Sequence, residues 1–176
     1  MKFLKRLVLL LLVLLVVLVI VGYMLPKERE LERSVVIDAS PEQVFSLIND
    51  FREFNRWSPW AQIDPEGTQY EFSGPPAGTG AIMSWTSEHP NVGSGTQKIL
   101  ESVPFEKIRT ELRFGGFETP AFATFTLQAT DEGTEVTWAF ESEMDGLIGR
   151  YMGLMLDKWV GADYERGLAL LKELTE

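Results

Sequence analysis

The N-terminal part of the chain contains nineteen consecutive uncharged residues, Leu7 to Leu25, nearly all of them Leu, Val or Ile. As a helix at ~1.5 Å per residue this run spans about 28 Å, close to the ~30 Å hydrocarbon core of a bilayer. Three basic residues precede the run and two follow it, a bias that favours a cytoplasmic N-terminus. The sequence therefore predicts a transmembrane anchor over residues 1–25, a linker over 26–30 and an extracytoplasmic domain over 31–176, periplasmic if the source is a Gram-negative bacterium.

A cleaved signal peptide is the alternative interpretation of this run. Signal peptides have an apolar stretch of about 7–15 residues followed by a cleavage site with small side chains. The run is longer here, and Ile20–Tyr23 lacks the small pair, so we favour a retained anchor. The chain has a net charge of −10, and three of its basic residues precede the run, so the remaining domain carries −13. Because an anionic bilayer surface would repel that charge, we expect the helix to hold the domain at the membrane.

The composition excludes several kinds of site. The chain has no cysteine and one histidine, so disulfides, thiolate zinc sites and multi-histidine metal centres cannot form. The acidic excess argues against a nucleic-acid partner, which needs a basic surface. We expect no metal and no cofactor.

The order of elements after the anchor predicts an α+β fold. Leu31–Asp38 is typical of a strand, and Ser40-Pro41-Glu42-Gln43 has the pattern of a helix capping box. A short helix is expected over Phe51–Arg56, and from Asp145 onward apolar residues recur at helical spacing, with five glycines that indicate either a bend near Gly161 or close backbone approach. Between the helices lie six extended runs separated by Gly/Pro turns: Thr68–Phe72, Ala81–Thr86, Thr96–Val103, Lys107–Phe114, Ala121–Ala129 and Thr134–Glu143. These elements predict a curved antiparallel sheet of about seven strands that packs against a long C-terminal helix.

Four segments carry a resemblance to a known family: Val36–Phe45, Phe54–Trp60, Gly74–Ala81 and Gly161–Leu168. Together they resemble the SRPBCC proteins, the polyketide cyclase/dehydrase and lipid-transport group of the START/Bet v 1-like superfamily. The resemblance covers residue 31 to the end and implies a helix-grip fold. It implies little about activity, because such families include cyclases, lipid or quinone carriers and members without an assigned activity.

Alternation along the strands and spacing along the last helix predict which side chains face the interior. Most of them are large, soft or aromatic, which suits an apolar ligand. Trp57 and Trp60 are predicted beside the entrance of a cavity between the sheet and the C-terminal helix. The same side chains would also fill a solid core. The full set of candidate ligand-binding residues is Trp57, Trp60, Phe72, Met83, Trp85, Leu112, Phe114, Phe125, Trp138, Phe140, Met152, Met155 and Trp159.

No catalytic constellation is evident among the polar residues. His89 lies in a turn sequence and is expected to be exposed. Glu141 and Glu143 share one strand face, and Arg109 and Arg113 alternate with apolar residues, as on a half-exposed strand. The Gly74–Gly80 segment lacks the Lys-Ser/Thr ending of a P-loop. We therefore expect no catalytic residue, and binding in preference to turnover.

These features favour a membrane-tethered protein that binds a small hydrophobic or amphipathic ligand such as a lipid. Transport of that ligand is an extension of the same hypothesis. One alternative is an enzyme of the cyclase/dehydrase or hydrolase kind. Another is a non-enzymatic protein-interaction module with a filled core, which its acidic charge would steer to a basic partner. The sequence identifies neither the ligand nor a protein partner.

Overall fold

The computed structural model describes residues 2–176, so residue 1 of the predicted anchor lies outside it. The elements are α1 (Lys2–Met24), β1 (Glu28–Ile37), α2 (Pro41–Asn49), α3 (Phe51–Trp57), β2 (Gln69–Ser73), β3 (Ile82–Thr86), β4 (Ser94–Val103), β5 (Lys107–Phe114), β6 (Ala121–Thr130), β7 (Gly133–Glu143), α4 (Gly146–Met152) and α5 (Ala162–Thr175). The predicted α+β architecture is confirmed, with α1 standing before a sheet and a C-terminal helical region.

The seven strands form one antiparallel sheet in the order β1-β7-β6-β5-β4-β3-β2. β1 begins at Glu28, inside the segment predicted as a linker, because its pairing with β7 continues to Glu28 opposite Glu143. The charged residues of this segment resemble a linker in sequence, yet they alternate along a paired edge strand.

The capping box predicted at α2 is present. The Gln43 amide donates to the Ser40 hydroxyl at 3.3 Å, and the Ser40 amide donates to the Gln43 side chain at 3.2 Å. Pro41 occupies the first helical position, where it has no amide to leave unpaired. These bonds satisfy two N-terminal amides of α2 and fix the point at which the chain leaves β1 and crosses the sheet.

The C-terminal region is helical from Gly146 to Thr175 but is not one regular α-helix. Between α4 and α5 it passes through a 3₁₀ turn at Gly153–Met155 and a π-helical turn at Asp157–Gly161. Gly161 faces the Arg33 guanidinium of β1 so closely that a Cβ atom there would force the arginine to shift. Arg33 also pairs with Asp157 at 3.0 Å and with Glu165 at 2.6 Å. The glycines therefore allow close approach to an inward-pointing arginine.

α1 joins the domain beside one row of strand ends of the sheet, and we call this row of strand ends the anchor-side edge. Because neighbouring strands are antiparallel, it contains the first residues of β1, β2, β4 and β6 and the last residues of β3, β5 and β7. The register at this edge runs through the pairs Glu28–Glu143, Ser142–Ala121, Ala121–Leu112, Phe114–Gly95 and Gly95–Trp85. The β6–β7 turn at Asp131 lies at the opposite edge.

Candidate functional site

A cavity of about 310 Å³ lies between the β3–β5 part of the sheet and the chain that follows α3. Its walls come from α3 and the next turn, from the inner face of β2–β5 and from the β3–β4 and β5–β6 loops. The lining residues are Phe54, Asn55, Ser58, Trp60, Ala61, Tyr70, Met83, Trp85, Pro90, Asn91, Val92, Gly93, Ser94, Gln97, Leu112, Phe114, Gly115 and Phe117. All of them lie between Phe54 and Phe117, so the cavity is not under the C-terminal helix, where the sequence analysis placed it.

The structure brings five of the predicted ligand-binding residues together in this lining: Trp60, Met83, Trp85, Leu112 and Phe114. Their side chains give the cavity a mainly aromatic and aliphatic wall. Such walls, with a few placed polar groups, are typical of small-molecule sites. The binding role of these five residues stays a prediction.

Four other predicted residues, Trp57, Phe125, Trp138 and Phe140, are buried in the hydrophobic core. Trp57 is fully buried and its indole N–H donates to the Leu47 carbonyl at 2.9 Å, so it is not beside an entrance. Trp138 stacks on Phe125 at 4.7 Å between ring centroids. This half of the interior is closely packed because side chains of both α3 and α5 contact the sheet there.

Phe72 is half-buried in β2, stacked beside Tyr70, with the Arg52 guanidinium 4.4 Å from its ring centroid. Met152, Met155 and Trp159 are exposed, at 43%, 38% and 52%. The prediction that they face the interior is wrong, because Gly153 and Gly161 occupy the sheet-facing side of this segment, against arginines of β1.

Polar groups inside the cavity cluster around Gln97, which is buried in β4. Its side-chain amide donates to the Thr110 hydroxyl at 3.1 Å, and that hydroxyl is 3.4 Å from the Ala123 carbonyl. Asn55 donates to the Met83 sulfur at 3.2 Å. Gln97 is absent from the predicted ligand-binding residues because only apolar side chains were assigned to the interior, although Gln97 lies two residues before the buried Ile99 on the same strand face.

Among the described residues 2–176, Tyr70 is the one titratable side chain that lines the cavity. Burial raises its pKa above the ordinary value for a phenol. Tyr70 is therefore a neutral hydroxyl at physiological pH, able to donate or accept a hydrogen bond. Within the same part of the chain, no group of three or more His, Cys, Asp or Glu side chains is placed to hold a metal ion.

Near the anchor-side edge the cavity lining includes the exposed side chains of Phe114 and Phe117, and we interpret this end as the mouth of the cavity. Gly95 lets the Trp85 indole lie against β4, since a Cβ there would come within 2.5 Å of the indole. The Trp85 N–H donates to the Val92 carbonyl at 3.3 Å, and Phe114 meets the indole edge-on at 6.0 Å. Phe117, in the β5–β6 loop, is 65% exposed.

His89 forms part of the β3–β4 loop beside this mouth. It is half-buried, where the sequence indicated an exposed residue. Its Nδ1 accepts a hydrogen bond from the Asn91 amide at 3.2 Å, and its own amide donates to the Ser87 hydroxyl at 2.9 Å. These bonds fold the turn that carries Val92, so His89 has a local structural role.

The β5–β6 loop is linked to the first residues after α1. Thr119 donates to the Asp145 carboxylate at 2.6 Å, and Lys27 lies 3.3 Å from the same carboxylate and 2.6 Å from Glu143. The Thr119 hydrogen bond, followed by that from Lys27, lowers the pKa of Asp145. One side of the mouth is thus connected to the point where α1 enters the domain.

A second hollow, of about 330 Å³, lies on the outer face of the sheet near β1, β6 and β7. It contains Arg109, which forms a two-pronged pair with Glu141 at 2.8 and 3.2 Å, and four carboxylates in all: Glu28, Glu30, Glu141 and Glu143. Hydrogen bonding from Arg109 lowers the pKa of Glu141. Arg29 also lines this hollow, and its Nε and Nη2 atoms are buried without a hydrogen-bond partner among residues 2–176. With two arginines and four carboxylates in its wall, the hollow suits an apolar ligand less well than the inner cavity does.

Comparison with known proteins agrees with this architecture. The family described as polyketide cyclase / dehydrase and lipid transport matches residues 28–176. No curated protein matches the chain. Protein CV1439 from Chromobacterium violaceum is 23% identical with a TM-score of 0.57, covering 84% of this chain and 98% of that one.

Two other solved structures share the fold at lower identity. The di-domain ARO/CYC StfQ from the steffimycin biosynthetic pathway is 10% identical with a TM-score of 0.63, covering 84% of this chain and 50% of that one. Ara h 8.0201 is 12% identical with a TM-score of 0.55, covering 83% of this chain and 99% of that one. Because the family match includes every element from β1 to α5, the chain belongs to the polyketide cyclase/dehydrase and lipid-transport family.

Proposed function

We propose that this protein is a membrane-tethered binding protein for a small hydrophobic or amphipathic molecule, which it exchanges with the bilayer. The observation that carries the proposal is the position of the cavity mouth. Trp85, Gly95 and Phe114 lie on the same sheet edge as Glu28, three residues after the last residue of the apolar run. A ligand leaving the bilayer beside α1 would meet this edge first.

The cavity favours a modest guest. Its volume of about 310 Å³ is at the low end of the ~300–1,000 Å³ usual for ligand sites, which suits a compact molecule or a single acyl chain better than a whole two-chain lipid. Each buried CH₂ group would contribute about 0.8 kcal/mol. Gln97, Asn55 and Tyr70 supply hydrogen-bonding groups for one polar end.

The proposal includes retention of α1, with the N-terminus in the cytoplasm. α1 is long and apolar enough to cross a membrane, and its C-terminal end contacts the domain. Gly22 packs against Leu147 and Tyr151 so closely that no Cβ would fit. A removable signal peptide has no need for such contacts, which supports an anchor.

Native mass spectrometry of the full-length chain, released from detergent micelles, tests the binding role. We expect a retained small apolar species in the wild-type protein. Ala61→Trp places a large ring in the cavity lining and should abolish retention. Ala77→Trp, in the exposed Gly74–Gly80 turn, is the matched control and should keep it.

The identity of any retained species separates binding from turnover. Recovery of an unaltered bilayer component supports the carrier proposal. Recovery of a compound that the protein converts on incubation would support the enzyme alternative in its place. An empty wild-type protein that also fails to take up lipid from vesicles would contradict both.

A further inference from the structure

We propose that α4 and the turn after it lie within the interfacial layer of the bilayer that α1 crosses. The partner of this surface is the lipid itself, at the boundary between headgroups and acyl chains. This inference rests on the proposed anchoring by α1 and is independent of what the cavity binds. Its basis is how α4 is joined to α1 and what α4 exposes.

α4 is fixed to the last turns of α1 by side chains of its own. The Arg150 guanidinium donates to the carbonyls of Tyr23 at 2.6 Å and Leu25 at 3.2 Å, where α1 has run out of amide partners. The Tyr151 hydroxyl donates to the Leu18 carbonyl at 2.6 Å. Gly22 makes this approach possible because it has no side chain between the two helices.

These contacts set the depth of α4 relative to the membrane. Leu18 lies seven residues before Leu25, the last residue of the apolar run, and at ~1.5 Å per residue the separation is about 10 Å. Helices that lie in the bilayer interface bury their apolar face about 5–10 Å into the headgroup and acyl boundary. With Leu25 at the membrane surface, the Tyr151 hydroxyl therefore lies at the depth of such a helix.

The segment exposes apolar side chains suited to that environment. Ile148 is 76% exposed and Leu154 53% exposed, beside the exposed Met152, Met155 and Trp159. A soluble domain rarely presents so many large apolar groups in one stretch. Trp and Tyr are enriched at membrane interfaces, and this region combines Trp159 with Tyr23 and Tyr151.

The charged groups of the segment are compatible with this position. The Nη1 atom of Arg150 donates to two carbonyls of α1, and the guanidinium lies 5.5 Å from the Tyr23 ring centroid. Asp157 pairs with Arg33 on the side facing the domain. Lys158 has a long stem that can reach the headgroups. Burial of apolar surface, with no attraction to anionic lipid, would drive the contact, in keeping with the acidic charge of the domain.

Single-cysteine labelling of the full-length chain tests the inference, since the protein has no cysteine of its own. An environment-sensitive fluorophore is attached to Ile148→Cys, to Val13→Cys in the middle of α1, and to Asp131→Cys at the opposite sheet edge. Each protein is reconstituted into phosphatidylcholine vesicles containing nitroxide lipids labelled near the headgroup or at mid-chain. Ile148 and Asp131 are exposed, so their substitution leaves the core intact.

We expect blue-shifted emission at Ile148→Cys, quenched most by the shallow nitroxide, deep quenching at Val13→Cys, and a water-like spectrum at Asp131→Cys. Deep quenching at Val13→Cys with a water-like Ile148→Cys would overturn the interfacial position of α4 while leaving the anchor intact. A blue shift at Ile148→Cys without lipid quenching would indicate contact with a second copy and also overturn it. A water-like Val13→Cys would overturn the anchor and the inference together.

Discussion

The inner face of the sheet is divided into two halves that share the same strand pattern and have opposite packing. Under β6 and β7, Trp57, Phe125, Trp138 and Tyr164 stack into a solid aromatic core. Under β3–β5, side chains of similar character surround about 310 Å³ of space. Apolar composition is therefore the same in the filled and the open half, and the difference has another cause.

That cause is the path of the helices across the sheet. α5 sets Tyr164 against Trp138, with ring centroids 3.7 Å apart, and α3 adds Phe54 and Trp57 from the other side. Over β3–β5 the chain leaves α3 through the turn that carries Trp60, and α5 does not reach it. A ligand site in this fold arises where helices fail to cover the strands.

Matched phenylalanine truncations give the largest expected contrast between the halves. Phe125→Ala, in the fully packed half, should lower the free energy of unfolding by about 3–5 kcal/mol. Phe114→Ala, at the cavity mouth and already 39% exposed, should cost about 1 kcal/mol, since it returns less apolar area to water. Unfolding of the full-length chain in detergent, followed by near-UV circular dichroism, measures both.

Equal losses for the two variants would contradict the division, because they would mean that Phe114 is packed as tightly as Phe125. A bound ligand would raise the loss at Phe114, because it stabilises the folded wild type by an amount that grows with the logarithm of free ligand concentration over Kd. The pair is therefore measured before and after exchange into detergent that strips apolar compounds.

The sequence was sufficient to predict the helices and strands and which face of a strand points to the interior. The capping box at Ser40, the strand order along the chain and the inward alternation of Trp138 and Phe140 follow from local chemistry that tertiary contacts reinforce. Five of the thirteen candidate binding residues line the cavity, because alternation identifies the inner face of a strand.

The sequence could not separate cavity from core, because both are lined by the same residue types. It also misplaced Met152 and Trp159, since helical periodicity gives a shared face without saying which way that face points. The deciding contacts are long-range, between Gly161 and Arg33 and between Gly153 and Arg29. Arg29 and Arg33 occupy strand positions where an apolar residue would have faced the helix.

An intermediate effect is expected from Gln97, the polar group that most distinguishes the open half. Gln97→Leu removes the bond to Thr110, whose hydroxyl keeps the Ala123 carbonyl as a neighbour. Because the Thr110 hydroxyl keeps a hydrogen-bond partner and the Gln97 amide is itself removed, no buried polar group loses its only partner. The free energy of unfolding should therefore change by less than about 1 kcal/mol. Retention of an amphipathic ligand should weaken about tenfold, equivalent to ~1.4 kcal/mol, as read by native mass spectrometry.

Gln128→Leu, exposed on β6, is the control for the added leucine and should leave retention unchanged. If Gln97→Leu retains as much ligand as the wild type, the polar pair is part of the packing alone, and the open half would bind by apolar contact only.

The smallest effect concerns the back of the sheet, where Arg109 of β5 reaches across β6 to Glu141 of β7 and joins the two halves. The Arg109 hydrogen bonds hold the pKa of Glu141 below its ordinary value. The pair therefore stabilises the folded state above the unfolded carboxyl pKa of about 4.3, and this contribution is lost as the pH falls through the folded-state value.

Since Glu141 is 40% exposed, Glu141→Gln should cost less than about 1 kcal/mol at neutral pH. Thermal unfolding at neutral and acid pH should show the variant and wild type converging in acid, with Glu132→Gln in the exposed β6–β7 turn indistinguishable from wild type at neutral pH. A difference for Glu141→Gln that persists unchanged in acid would show that the pair does not join the halves electrostatically.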